Sequence, residues 1–213
     1  MEILFEDESI LVINKPAGIA TQTRGVSAKD LVSECKKYRK EKNEPAEIYV
    51  VHRLDQPVSG ILVFAKTKEA AALLNSGLKN DDFSKDYRAT VFKSGKIEPG
   101  AKLTDYLIKD GKTNMSCVVP KSIPGAKEAV LVYKVEEESD KEATLSVHLK
   151  TGRHHQIRVQ LSNAGMPILG DQKYGTEESI EYSKEKGIEN VSLCAYRLEF
   201  KHPKTNGHMQ FEI

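Results

Sequence analysis

His52, Arg53 and Asp55 stand together in VHRLDQPVSGILVFAK, residues 51–66, between two apolar runs. An imidazole, a guanidinium and a carboxylate in so short a span can move protons, hold an anion or attack a carbon. The flanking runs IYVV (48–51) and ILVFA (61–65) are β-branched and aromatic and are bounded by Pro57 and Gly60, which predicts two buried strands. The charged group is therefore held on a short loop between rigid elements. A catalytic carboxylate would be mounted there, and a plain Arg–Asp turn pair would also sit there.

The second charged constellation is LKTGRHHQIRVQLSNAG, residues 149–165. Thr151-Gly152 breaks the preceding strand, and Ile157, Leu161 and Ala164 then keep helical spacing until Gly165 offers a C-cap. Arg158 lies about 100° round from Ile157 and one turn from His154, while Arg153 stands at the helix entrance. Two arginines at a helix N-terminus can meet phosphates or a carboxylate, or serve a structural ion pair. His154 and His155 diverge by about 100° on a helix, and no H-E-x-x-H or matching Cys/Asp set accompanies them, so no metal site is expected.

The elements that must position these residues read as short strands with a few helices. Ser27 and Asp30 form an S-x-x-D capping box, after which Leu31, Cys35 and Tyr38 fall on one helical face. The other face carries Lys36, Lys37, Arg39, Lys40 and Lys42 with Glu34 and Glu41 interleaved, either a solvated surface or an RNA-backbone contact. A second helix is expected at about Lys68–Leu78. Residues 85–94 alternate as a strand, with Tyr87, Ala89 and Val91 on one side and Arg88, Thr90 and Phe92 on the other. Strands also fit 129–135 and 143–149. Few strand pairs leave room for a crossover helix, which predicts an α+β fold with a mixed, largely antiparallel sheet.

Composition bounds the function. With 213 residues, 39% of them hydrophobic, the chain can fill the core of one large domain or two small lobes. The start MEILFEDESI is acidic and too short in its apolar run for a secretory signal, and no stretch approaches the roughly 18 apolar residues of a membrane span. A soluble, cytoplasmic protein is expected. Cys35, Cys117 and Cys194 are odd in number and scattered, which excludes a disulfide framework or a C-x-x-C metal site. A net charge of +1 carries no global signal for a polyanion, so any nucleic-acid contact must come from a local basic patch.

Taken together, the two constellations resemble the RluA-type pseudouridine synthases. His52-Arg53-Leu54-Asp55 followed by Ser59-Gly60 matches that family's signature loop, Lys85-Asp86-Tyr87 its K-x-Y strand, and Thr151-Gly152-Arg153-His154-His155-Gln156-Ile157-Arg158 its third motif. Supporting matches are Asn14-Lys15-Pro16-Ala17-Gly18, Pro167-Ile168-Leu169-Gly170-Asp171 with Tyr174-Gly175, and Leu193-Cys194-Ala195 before Phe200-Lys201-His202-Pro203. They occur in the family's order over about residues 10–203. Gln56 and Val58 stand where Arg and Thr are common, His154-His155 where Thr-His is usual, and Cys194 where His is frequent.

The resemblance implies a single catalytic domain over residues 1–213, in two lobes with flanking helices and a central RNA-binding cleft, without the S4 RNA-binding module of many relatives. It implies isomerisation of a uridine in a tRNA or rRNA stem-loop by a monomer needing neither metal nor organic cofactor. Asp55 would be the nucleophile or base, paired with Arg158; Arg153 is the alternative partner. Tyr87 would stack on the uracil, and Arg53 would fill the space left by the flipped nucleotide. Lys15, Lys85 and the helical lysines would hold phosphates, and His52, Arg153, His154 and Gln156 are carried over as substrate-binding positions. Two other classes fit parts of the pattern: an RNA-binding module without catalysis, and a nucleoside or glycoside hydrolase.

Overall fold

Ile61–Ala65 is apolar at every position, so both faces of the strand must be covered, and all five residues are buried. A computed structural model describes residues 1–23, 29–78, 80 and 82–213. In chain order the elements are β1 (Glu2–Glu6), β2 (Ile10–Lys15), α1 (Leu31–Glu41), β3 (Tyr49–Val50), β4 (Ser59–Ala65), α2 (Lys68–Gly77), β5 (Phe83–Phe92), β6 (Gly100–Asp110), β7 (Met115–Val119), β8 (Lys127–Glu138), β9 (Glu142–Leu149), α3 (Gln156–Asn163), α4 (Glu177–Glu185), β10 (Leu193–Lys201) and β11 (His208–Glu212). The architecture is α+β, as the sequence predicts. The chain forms two compact units, residues 1–85 with 195–213, and residues 86–194.

In the first unit the strand order is β1-β2-β4-β10, with β3 on β4 and β11 on β10. The pairs β1/β2, β2/β4, β3/β4 and β10/β11 run antiparallel. Ile10 and Val12, Ile61 and Val63, and Leu198 and Phe200 point to one core with Ala70 and Leu74 of α2. Phe64, with no exposed surface, would cost about 3–5 kcal/mol to truncate to Ala, a large share of a domain's net stability.

α1 starts later than the sequence suggests. Its N-cap is Asp30, whose carboxylate accepts the Ser33 N–H at 2.8 Å, and the expected Ser27 cap lies outside the described residues. The basic face of α1 is largely engaged within the protein. Arg39 is buried against Glu44 and the Glu47 carbonyl, Lys42 pairs with Glu6 and Glu44, and Lys37 pairs with Glu41. Lys36 and Lys40 remain exposed. α2 begins at the Thr67 cap, which accepts the Ala70 N–H.

In the second unit the order is β5-β9-β8-β6-β7, every pair antiparallel. Ala89, Val91, Leu131, Leu145 and Val147 alternate inward as the period of two requires. Val159 of α3 packs on Leu107, Ala129 and Tyr174. α3 ends as predicted: Gly165 takes φ +77°, its N–H reaches the Ser162 carbonyl, and the Met166 N–H reaches that of Leu161. α4 was not foreseen, because EESIEYSKE carries too few apolar residues to show a stripe. Among the described residues, no helix is long and apolar enough to cross a membrane.

Candidate active site

The loop carrying Asp55 is held from both sides. The Val58 N–H closes a turn onto the Asp55 carbonyl at 3.1 Å. Before it, Thr21 Oγ1 donates to the Leu54 carbonyl at 2.8 Å and accepts the Leu54 N–H at 3.2 Å. After it, the Gly18 N–H donates to the Gln56 carbonyl at 2.9 Å, and Gln56 Nε2 donates back to the Gly18 carbonyl at 3.0 Å. Gly60 follows at φ +118°, where a Cβ would lie 2.3 Å from the Ala195 carbonyl oxygen, so only glycine lets β4 approach β10. The result is a half-buried Asp55 on a pinned turn, next to an exposed Arg53.

Lys15 differs from its expected role. It is fully buried, and its ammonium donates to the carbonyls of Pro16 (2.8 Å), Ile19 (2.7 Å) and Gln56 (3.1 Å). An ammonium has three N–H donors, and these three carbonyls use them all, so none is offered to a phosphate. Lys15 is a brace joining the N-K-P-A-G segment to the Asp55 turn. Burial pulls its pKa down to about 8, against the opposing charge of Asp55.

His52 is likewise turned inward. Its Nε2 accepts the Val63 N–H at 3.2 Å, and its ring meets Phe83 edge-on at 5.1 Å. Burial, then the nearby Lys85 charge, hold its pKa well below the usual histidine range, so it is neutral. Because Nε2 accepts, the proton sits on Nδ1, which is buried and has no hydrogen-bond partner among the described residues. Lys85 lies over the Phe83 ring at 5.7 Å, and burial lowers its pKa also.

In the second unit Arg158 is buried, and its guanidinium forms a two-pronged pair with Asp171: Nε to Oδ2 and Nη2 to Oδ1, both at 2.7 Å. Asp171 Oδ1 also accepts the N–H groups of Lys173 (3.0 Å) and Tyr174 (3.2 Å). Sequence reading gave Asp171 no role. The available signal was an acid directly after Gly170, whose φ of +77° and packing on the Asn190 carbonyl mark a forced turn. Tyr87, on β5 opposite Val147, is buried.

The α3 entrance accounts for the other matched positions. Gln156 Oε1 accepts from the Thr151 hydroxyl (2.8 Å) and the Arg153 N–H (2.9 Å), and its Nε2 donates to the Val130 carbonyl (3.1 Å). This amide is committed to protein groups, unlike the substrate contact expected of it. Arg153 is exposed, with Nε on the Glu128 carbonyl at 2.8 Å. His154 Nδ1 lies 3.0 Å from Ser116 Oγ, and its ring stacks on His155. Among the described residues, no group of three or more His, Cys, Asp or Glu could hold a metal.

A model of the RNA pseudouridylate synthase family matches residues 9–163. The chain is 34% identical over 205 residues to ribosomal large subunit pseudouridine synthase C of Pasteurella multocida (strain Pm70), covering 96% of this chain and 61% of that protein. It is also 34% identical over 209 residues to the uncharacterized RNA pseudouridine synthase YhcT of Bacillus subtilis (strain 168), covering 97% and 66%. The chain thus spans less than two thirds of the length of these curated relatives. In fold it is similar to human RNA pseudouridylate synthase domain containing 1, with a TM-score of 0.79 at 21% identity over 100% of this chain and 82% of that one. With the family model covering most of the sequence and the motifs set on strands, turn and helix as described, the chain belongs to the RNA pseudouridylate synthase family.

Proposed function

We propose that the protein isomerises a uridine in structured RNA to pseudouridine, with Asp55 as the reacting carboxylate. The observation that carries the reading is the Asp55 turn, pinned at Leu54 and Gln56 and braced by a buried ammonium, which holds one carboxylate in a fixed place. The N1–C1′ bond breaks, the uracil turns, and C1′ joins C5. The C5 proton is lost as N1 gains one, so no oxidant or energy source is needed. Asp55 serves as nucleophile or base in this sequence, with Arg158 as the partner that the family motif assigns to it. Tyr87 offers a ring face to the uracil and a hydroxyl for the C5 proton. The exposed Arg53 fills the space left by the flipped nucleotide, and Lys85 and Arg153 meet phosphates.

In this reading the whole chain is one catalytic domain, acting as a cytoplasmic monomer on a stem-loop of rRNA or tRNA. The Pasteurella relative's name, that of a ribosomal large subunit enzyme, supports rRNA. The test is product analysis on cellular RNA. Isomerisation raises pseudouridine at the expense of uridine with RNA mass unchanged; released uracil marks a hydrolase, and binding without either marks an RNA-binding module.

A further inference from the structure

Arg158 is fixed by more than its carboxylate partner. The pair with Asp171 holds one edge of the guanidinium by two hydrogen bonds. The Tyr174 ring adds a second contact, with Arg158 Cζ over the ring 5.1 Å from its centre. The ring is itself anchored at its far end. Its hydroxyl oxygen accepts the Ser116 N–H from β7 at 2.8 Å and lies 2.8 Å from His155 Nδ1. His155 meets the ring edge-on at 5.6 Å, and His154 stacks behind His155 at 3.7 Å. His155 holds this place in left-handed backbone, φ +53°, which glycine or asparagine adopts more easily.

We propose that Tyr174 is a positioning residue for the isomerisation, acting through Arg158 by holding its guanidinium in place. The proposal rests on the assignment of Arg158 to the reacting carboxylate. Its discriminating consequence is that the Tyr174 hydroxyl matters only while a planar guanidinium occupies position 158. A displaced guanidinium is a poorer partner for the reacting carboxylate in the isomerisation, so the loss falls on turnover while RNA affinity is kept.

Tyr174→Phe keeps the ring in the core and removes the anchor. Single-turnover pseudouridine formation is measured for the parent, Tyr174→Phe, Arg158→Lys and the double variant, with RNA affinity measured alongside. Expected is a fall of about tenfold in turnover with affinity held. In the Arg158→Lys background the same substitution changes turnover less than about twofold. His155→Asn suits the left-handed backbone and removes the imidazole beside the hydroxyl, so it gives the same pattern if Tyr174→Phe does not fold. Full activity in both variants overturns the proposal, and so does an equal loss in both backgrounds. An inactive parent, or a parent no better than Asp55→Asn, removes the functional reading itself and this inference with it.

Discussion

At the scale of single residues, Lys15 shows how a motif position can be read correctly and its job misread. The N-K-P-A-G match made Lys15 a family position, and a lysine in an RNA enzyme suggests phosphate. Nothing in the sequence shows that its ammonium is enclosed by three carbonyls contributed partly from Gln56, a residue far along the chain. Lys15→Met leaves those carbonyls without a donor and is expected to cost about 2–4 kcal/mol of stability. Its RNA affinity should keep the parent's salt dependence, which a phosphate contact would not. Its pKa adds a sign. At about 8 in the folded protein against an ordinary 10.5, the unfolded chain binds the extra proton between those values. The parent should therefore gain stability relative to Lys15→Met as pH rises from about 8 to 10.5, read from denaturant midpoints.

Elements were legible where a pattern is local. The strand at Ile61–Ala65, the alternation of β5 and the Gly165 cap each follow from a few neighbouring residues. β6 was missed because one of its faces carries Lys102, Thr104 and Tyr106 toward solvent and breaks the apolar run. The fate of the α1 lysines was hidden because their partners come from elsewhere: Glu6 of β1 takes Lys42 (2.9 Å), Lys66 (2.8 Å) and the Tyr38 hydroxyl (2.8 Å). Burial opposes the ionised form of Glu6, but these three donors win and hold its pKa at about 2, against an ordinary 4.5. That stability is present above pH 4.5 and lost as pH falls through 2. Glu6→Gln should flatten the acid unfolding curve between those values; a curve as steep as the parent's would place the acid sensitivity elsewhere.

At the scale of the whole molecule, the unit holding Asp55 is completed by the far end of the chain. Leu198 and Phe200 enter its core, and His202 Nε2 donates to Asp7 at 2.8 Å. Removing residues 195–213 should abolish cooperative thermal unfolding of that unit. The net charge of +1, with much of the α1 basic face paired internally, implies a small electrostatic footprint. Salt titration of RNA binding should give a slope matching about 3–6 neutralised phosphates; a much steeper slope would reveal basic surface that this account leaves out.

If one fixed carboxylate performs the isomerisation, Asp55→Asn must end it, since the change is nearly isosteric and removes only the reactive charge. Pseudouridine is measured by chemical labelling of RNA incubated with each protein, and RNA affinity is measured in parallel. No detectable pseudouridine is expected from Asp55→Asn, with affinity held within a few-fold of the parent. Appreciable turnover by that variant would contradict it.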